Sequence, residues 1–362
     1  DGYPTADKIN GIKYEIFNSQ TRLLRFGSYH GTSYTVQDSK HIQLTRTGSY
    51  QGEQVGDIIA IGARDAPGGS IPHAIYVTKS NGAVLQDVTL WSANMFGFLE
   101  TECSGSQYIR CTIDRRPLES DYVAREDARI RSLIADAFHF KYADVGPKYE
   151  DCKAKFMADD AIAINGNFDM VLSSAGSTLR ILGKQNDISV QTGDPLEITT
   201  FTGERLDDAK VVSVTETAEP PTQEEIDFLY SLGMHQPFKD TMRTVWTVQI
   251  DRSVDLERGS LINAANRVGN GFSVTGGDFG YNRSRGILVK ASHGVISNNT
   301  IRGTHGTAIK LAPEYWWLEG GNSNDVTITE NLIEDILDVG IEVSAMGGNR
   351  KTAPAGAHNG IR

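Results

Sequence analysis

Short runs of alternating apolar and polar residues recur along this chain, separated by Gly, Asn or Asp at expected corners. The run at residues 84–90 (VLQDVTL) is repeated 23 residues later. Near the C-terminus, Ile301 and Ile333 are 32 residues apart, and so are Ile309 and Ile341. Two markers that keep one period indicate stacked repeats, because a single set of short strands cannot bury its own apolar side chains. The pattern therefore predicts an all-β fold, a right-handed parallel β-helix.

The repeat is interrupted between about residues 172 and 259. This segment has strand-like runs of its own, such as residues 196–201 (LEITTF), without the period of the flanking sequence. We interpret it as a small β-barrel or sandwich inserted into the β-helix. The expected domains are then β-helix at 1–171, insert at 172–259 and β-helix at 260–362. One amphipathic helical run, residues 222–232, is too little for an alternating β/α architecture.

Composition limits the classes of partner. The 362 residues carry a net charge of −11, which argues against nucleic acid and other polyanions as ligands. No apolar run approaches the ~18 residues of a membrane span, so we expect no membrane partner. The three cysteines form neither a disulfide framework nor a metal-ligand spacing, and Cys111 and Cys152 lie in strand-like runs typical of buried thiols. The oligomeric state stays open, with a homodimer among the possibilities.

The two ends of the sequence suggest a longer natural chain. It begins at Asp1 without a methionine, as expected after removal of a signal peptide or a tag. The last residues, 357–362, resemble the start of another repeat. Together with the reaction class argued below, the first feature predicts a secreted or periplasmic protein.

Three aspartates stand out against the repeat. Asp159 follows Asp136 by 23 residues, about one coil of a β-helix, and Asp160 is its neighbour. This spacing predicts that Asp136 lies beside the pair on the adjacent coil. Paired carboxylates supply the acid and the base of glycoside hydrolysis. Because carboxylates this close cannot all ionise freely, the pKa of at least one should rise. The alternative is that Asp159 and Asp160 form an ordinary solvated turn.

Around these aspartates the sequence resembles glycoside hydrolase family 110, inverting α-1,3-galactosidases built on a parallel β-helix with inserted β-barrel domains. The resemblance covers roughly residues 55–345, in the segments 135–140 (ADAFHF), 149–152 (YEDC), 159–161 (DDA), 165–166 (NG), 282–288 (NRSRGIL) and 316–321 (WWLEGG). It implies an exo-acting glycosidase for a terminal α-linked sugar, with no metal or other cofactor. By position, Asp159 would be the general acid, while Asp136 and Asp160 would hold the attacking water. Inversion predicts an acid-to-base separation of ~6.5–9.5 Å.

The sequence departs from the family pattern next to these aspartates. The family usually has Asn and His where this chain has Ala163 and Asn165, and a Cys-Arg-Gly-like turn where it has residues 144–146 (DVG). The departures favour a hydrolytic mechanism like that of the family but with a different sugar specificity. The assignment as a glycosidase is therefore better supported than the assignment of galactose as the sugar.

Seven further residues are candidates for binding the carbohydrate. Two arginines spaced by two residues offer forked donors or raise the acidity of a carboxylate, and two adjacent tryptophans offer a stacking surface for a sugar. The alternatives are that the two arginines lie on a solvated strand face and that His139 is a core histidine with its hydrogen bonds satisfied. The candidates are His139, Asn165, Arg283, Arg285, Trp316, Trp317 and Glu319.

Two other functions compete with a glycosidase. A β-helical polysaccharide lyase or epimerase acting on uronates needs a base and a neutralised carboxylate, often through calcium, which clustered aspartates bind well. A carbohydrate-binding β-helix without catalytic activity would tolerate the loss of Asp159. The sequence leaves the sugar, its linkage and endo or exo action undecided.

Overall fold

The computed structural model describes residues 13–46, 52–61, 72–117 and 128–362, and strands predominate in them. The strands before residue 62 form a four-stranded antiparallel sheet rather than the coils predicted for the start of the first β-helical domain, residues 1–171. Its strands are Lys13–Phe17, Leu24–Val36, Ile42–Arg46 and Ile58–Ile61. Residues 62–71 and 118–127 of that predicted domain lie outside the described residues.

Three parallel sheets follow. The site sheet contains Ile75–Thr78, Phe98–Thr101, Phe138–Lys141, Ile162–Asn167, Ile287–Val289, Ile309–Leu311 and Ile341–Val343, and Glu319–Gly320 pairs antiparallel with Ile162–Asn167. The second sheet contains Val84–Gln86, Gln107–Ile109, Lys148–Glu150, Ser273–Thr275, Val295–Ser297 and Thr327–Thr329. The third sheet contains Thr89–Leu90, Thr112–Ile113, Lys153–Lys155, Asp278–Gly280, Thr300–Arg302 and Leu332–Glu334.

The chain visits these sheets in turn, adding one strand to each before it returns to the first. The pairing follows the sequence period, since Ile301 lies opposite Ile333 and Ile309 opposite Ile341. Inward side chains of successive strands form one core, in which Phe138 stacks on the neighbouring Phe98 with ring centroids 4.9 Å apart. All three cysteines are free and buried, in agreement with the prediction for the two in strand-like runs.

A column of left-handed residues marks the corner between the second and third sheets. One residue per coil takes positive φ there, namely Asp87, Arg110, Asp151, Gly276, Asn298 and Glu330. The prediction of Gly, Asn or Asp at each corner is wrong at two positions, Arg110 and Glu330. The Arg110 amide donates to the Glu150 carbonyl of the adjacent coil at 2.8 Å, a bond that offsets the ~1–2 kcal/mol cost of the left-handed conformation.

A closed six-stranded antiparallel barrel is inserted after the fourth strand of the site sheet. Its strands, in spatial order, are Asp169–Ala175, Thr178–Leu182, Val245–Ile250, Ala209–Glu216, Pro195–Thr199 and Leu261–Ala264. The barrel strands thus begin and end a few residues outside the predicted insert 172–259. The barrel has its own apolar core, which includes Leu179, Ile198 and Val248.

Two short helices lie within the inserted segment. Gln223–Ser231 begins with a capping box, in which the Thr222 hydroxyl accepts from the Glu225 amide and the Glu225 carboxylate accepts from the Thr222 amide. The second helix is Gln236–Thr241. Single 3₁₀ turns occur at Lys184–Asn186 and Tyr315–Trp317. Within the described ranges, no helix has the length and apolar character needed to cross a bilayer.

Candidate functional site

The register of the site sheet brings Asp136, Asp160 and Arg285 to equivalent positions in three adjacent coils. The Ala137 amide donates to the Asp160 carbonyl, and the Ala161 amide donates to the Arg285 carbonyl, each at 3.0 Å. Asp136, Asp159 and Asp160 each place a carboxylate oxygen within 4.8 Å of the other two. The three aspartates predicted to be neighbours from their spacing therefore form one cluster, at the N-terminal ends of two adjacent strands of the site sheet.

Asp160 is the buried member of the cluster, with 2% of its surface exposed. Its Oδ1 accepts from the Arg285 amide at 2.8 Å, and its Oδ2 accepts from the Arg285 guanidinium at 2.7 Å. Burial raises the pKa of Asp160 to about 6, against the opposing effect of Arg285 and with the help of repulsion from Asp136 and Asp159. This carboxyl group changes charge within the working range of a general acid or base.

Asp136 is held by His139, three residues further along the chain. The His139 Nδ1 lies 2.6 Å from Asp136 Oδ2, and the Asp160 amide donates to Asp136 Oδ1 at 3.4 Å. The imidazole ring also packs against Phe96, with ring centroids 4.7 Å apart, and Phe96 stacks on His73 at 5.2 Å. The structure thus places His139 where it orients a carboxylate, at the end of an aromatic row that the sequence analysis missed.

Asp159 is more exposed and is paired with Arg283. The Arg283 Nη2 lies 2.9 Å from Asp159 Oδ1, and its Nε lies 3.7 Å from Glu15 Oε1. Glu15 belongs to the N-terminal antiparallel sheet, is buried, and receives a 2.9 Å hydrogen bond from Arg131. Of the two roles expected for the arginines, the structure therefore places Arg283 and Arg285 on carboxylates. Glu15 carried no signal in the sequence, because its partners are more than 100 residues away.

A second charged cluster adjoins the aspartates through Arg285, whose Nη1 lies 3.2 Å from Glu314 Oε1. The fully buried Lys290 Nζ lies 2.8 Å from Glu314 and 2.6 Å from Glu319. Burial raises the pKa of the Glu319 carboxyl, but Lys290 and then Lys184 outweigh burial and lower it overall. The predicted sugar-binding Glu319 is thus an ionised partner of a lysine. The sequence signal for Lys290 was a charge directly after the apolar run 287–289.

The remaining predicted residues lie around this second cluster. Asn165 is fully buried opposite Lys141, and its amide nitrogen donates to the Gly166 carbonyl at 2.9 Å. Its Oδ1 has no hydrogen-bond partner in the described part of the chain. Because this acceptor is fully buried, a role for Asn165 in binding the carbohydrate stays a prediction.

The two tryptophans contact other parts of the chain. Trp317 stacks on His235 with ring centroids 4.4 Å apart, and Trp316 lies edge-on to Tyr315 and beneath Arg350. None of these ring contacts involves the three aspartates, so the stacking surface for a sugar stays a prediction. Trp317 keeps 40% of its surface exposed and is the better candidate of the two.

The aspartate cluster also has the chemistry of a cation site, since hard cations such as calcium prefer carboxylate oxygens. Asp136, Asp159 and Asp160 would provide the ligands. Two of the three already contact arginines, so a cation would compete with Arg283 and Arg285 for the same charges.

The sequence matches no protein-family model and no curated protein. A function can therefore be proposed from the residues themselves and from the geometry described above.

Proposed function

We propose that the three parallel sheets are the faces of a right-handed parallel β-helix and that the protein is a secreted or periplasmic glycoside hydrolase, a divergent member of family 110. The substrate class is a carbohydrate with a terminal α-linked sugar, galactose being favoured, cleaved in exo fashion. The observation that carries the proposal is the cluster of three carboxylates within 4.8 Å, one of them with a pKa of about 6.

The division of roles follows the family resemblance. Asp159, the most exposed aspartate, would donate a proton to the leaving oxygen, as the resemblance implies. Asp136 and Asp160 would hold the attacking water, with His139 and Arg285 keeping them oriented. A base must be ionised, so a pKa of about 6 for Asp160 predicts activity that rises as pH increases through 6.

The stereochemical outcome is a separate point. Inverting glycosidases keep their two carboxyl groups ~6.5–9.5 Å apart, whereas retaining enzymes keep them ~5–5.5 Å apart. One oxygen of each aspartate lies within 4.8 Å of the other two, which is shorter than either range, and the family resemblance favours inversion. The anomeric configuration of the first product distinguishes the two.

The test is hydrolysis of a panel of aryl α- and β-glycosides and of Gal-α-1,3-Gal, with NMR of the product and with EDTA present. We expect an α-linked sugar to be released, and Asp159→Asn to lose ~10³-fold or more, since an acid or base group contributes ~10²–10⁴-fold. Asp207→Asn is the matched control, because the Asp207 side chain is 97% exposed on the barrel. Unchanged activity in Asp159→Asn would refute the assignment.

A polysaccharide lyase or epimerase acting on uronates is the second candidate, because the same three carboxylates offer a cation site. It predicts activity that EDTA abolishes and, for a lyase, unsaturated products that absorb in the ultraviolet. A hydrolase should need no cation and give no such absorbance. Glycan binding without turnover, retained in Asp159→Asn, would instead favour a carbohydrate-binding module.

A further inference from the structure

Two lysine side chains, Lys141 and Lys184, meet on the outer face of the site sheet and form what we call the lysine pair. Lys141 ends the strand Phe138–Lys141, and Lys184 begins the 3₁₀ turn Lys184–Asn186 of the inserted segment. The two side chains are in direct contact, and their charges repel each other. An ammonium group has three donors and no acceptor, so such a contact is unfavourable unless one amine is neutral or an anion lies between them.

The buried member of the pair, Lys184, is positioned by neutral groups. Its Nζ donates to the Leu318 carbonyl at 3.0 Å and to Asn167 Oδ1 at 3.4 Å, and it lies 4.8 Å from the centre of the Phe238 ring. Carbonyl and amide oxygens orient an ammonium group but carry no net charge with which to neutralise it. Within the part of the chain that the structure describes, neither Lys184 nor Lys141 forms an ion pair.

The carboxylates that face the lysine pair are engaged elsewhere. Glu319 lies 2.6 Å from the Lys290 ammonium, and Asp169 accepts from the backbone amide of Lys184 at 3.2 Å. Burial and then repulsion from Lys141 lower the pKa of Lys184 well below its ordinary value. Attraction by Glu319 opposes this shift, and repulsion from Lys290 adds to it. The electric field at the lysine pair is therefore positive in spite of its acidic neighbours.

The lysine pair lies close to the aspartate cluster. Phe138 and Phe140 point into the core, so His139 and Lys141 share the outer face of their strand, roughly 7 Å apart. The imidazole of His139 is the group that holds Asp136. A distance of this size is comparable to the width of one sugar ring. A sugar whose scissile bond lies at the aspartates would therefore bring a substituent of its ring to the lysines.

We propose that Lys141 and Lys184 bind an anionic substituent of the sugar, a carboxylate or a sulfate ester, so that the substrate is an acidic carbohydrate. An oxyanion between the two ammonium groups accepts a charge-assisted hydrogen bond from each and removes their repulsion. Lys141 is partly exposed, so the ligand approaches from its side. The placement of the sugar rests on the proposed hydrolase function, whereas the anion-binding chemistry of the lysine pair does not.

The test is isothermal titration of the full chain with galactose, sodium galacturonate and sodium galactose 6-sulfate, at an ionic strength held constant with sodium chloride. We expect at least one acidic sugar to bind about tenfold more tightly than galactose, because a hydrogen bond between charged groups contributes about a factor of ten or more. Lys141→Gln should bind that acidic sugar and galactose about equally. Lys141 is partly exposed and makes no ion pair, so the variant should fold.

Lys210→Gln is the matched control, since it removes the same charge from an exposed lysine of the barrel and should leave the preference unchanged. Proton uptake is an independent readout, because an anion beside Lys184 favours its protonated form. Titrations at pH 8 in Tris and in triethanolamine, which differ in ionisation enthalpy, should show that the acidic sugar brings a proton with it. Lys184→Met should take up less, and equal uptake would overturn the assignment of Lys184.

The outcomes separate this proposal from the hydrolase. Hydrolysis of neutral α-galactosides without any preference for an acidic sugar would overturn the anion site and leave the hydrolase. A preference that is lost in Lys141→Gln, in a protein that hydrolyses nothing, would support the anion site and refute the hydrolase. Equal preference in the wild type and Lys141→Gln would overturn the proposal. Tighter binding of galacturonate would assign a carboxylate, and tighter binding of galactose 6-sulfate a sulfate ester.

Discussion

Replacement of Arg285 by glutamine tests the electrostatics of the aspartate cluster without any knowledge of the substrate. In the wild type, Arg285 bonds directly to the buried Asp160 carboxylate through its backbone amide and its guanidinium. Arg285→Gln keeps the amide bond and removes the charged one. We expect the pKa of Asp160 to rise further, because the Arg285 guanidinium no longer opposes the effects of burial and of the two neighbouring aspartates.

The size of the change follows from the lost contact. A hydrogen bond to a charged group contributes ~1.5–3 kcal/mol, and one pKa unit corresponds to ~1.4 kcal/mol, so the pKa should rise by about one to two units. In the wild type the folded-state pKa of about 6 exceeds the ordinary value of 3.8. The folded state therefore holds this proton more tightly, and the stability it contributes is lost as pH rises through 6.

In Arg285→Gln, the stability contributed by the Asp160 proton is lost over a pH range that extends higher than in the wild type. The assay is urea unfolding of wild type and Arg285→Gln at pH 5 and pH 9. We expect the free-energy difference between the two proteins to be larger at pH 9 by ~1.5–3 kcal/mol, because Asp160 is protonated in both at pH 5 and ionised in both at pH 9.

The control is the double variant Asp160→Asn/Arg285→Gln, compared with Asp160→Asn. It lacks the titrating carboxyl, so the extra pH-dependent difference should disappear. An Arg285→Gln difference that is equal at pH 5 and pH 9 would refute the reasoning, since it would mean that the guanidinium does not neutralise Asp160 in solution.

Two further predictions concern stability. Phe138→Ala should lower the free energy of unfolding by ~3–5 kcal/mol, measured by urea titration, because this buried ring stacks on Phe98 and its removal leaves a cavity. Lys290→Met keeps the volume of the side chain but leaves Glu314 and Glu319 without their shared cation, so we expect a loss of ~3–5 kcal/mol at pH 7. A loss below about 1 kcal/mol in either variant would contradict the corresponding packing or ion-pair argument.

The stacked β-strands and the proximity of the aspartates were predictable because both depend on spacing. Parallel strands on adjacent coils pair at a fixed register, so the distance along the sequence from Asp136 to Asp159 translates directly into proximity in space. The 32-residue period near the C-terminus works in the same way. The interruption was visible for the same reason, since the period stops where the barrel begins.

Corner conformations were less predictable. Asp87 and Asn298 are residue types that favour the left-handed region, whereas Arg110 and Glu330 are not. The hydrogen bonds that hold those backbones come from the adjacent coil, so the residue type at the corner is only one of the terms that decide its conformation.

The sequence by itself determined which residues stack and where three carboxylates meet, because a repeat carries its own register. Only the tertiary structure decided how those carboxylates are charged. Asp160 meets Arg285 across 125 residues that include the whole barrel, and Glu15 reaches Arg283 from the N-terminal sheet. Charge pairing depends on distance in space rather than along the chain, so no spacing in the sequence encodes which partner neutralises each aspartate.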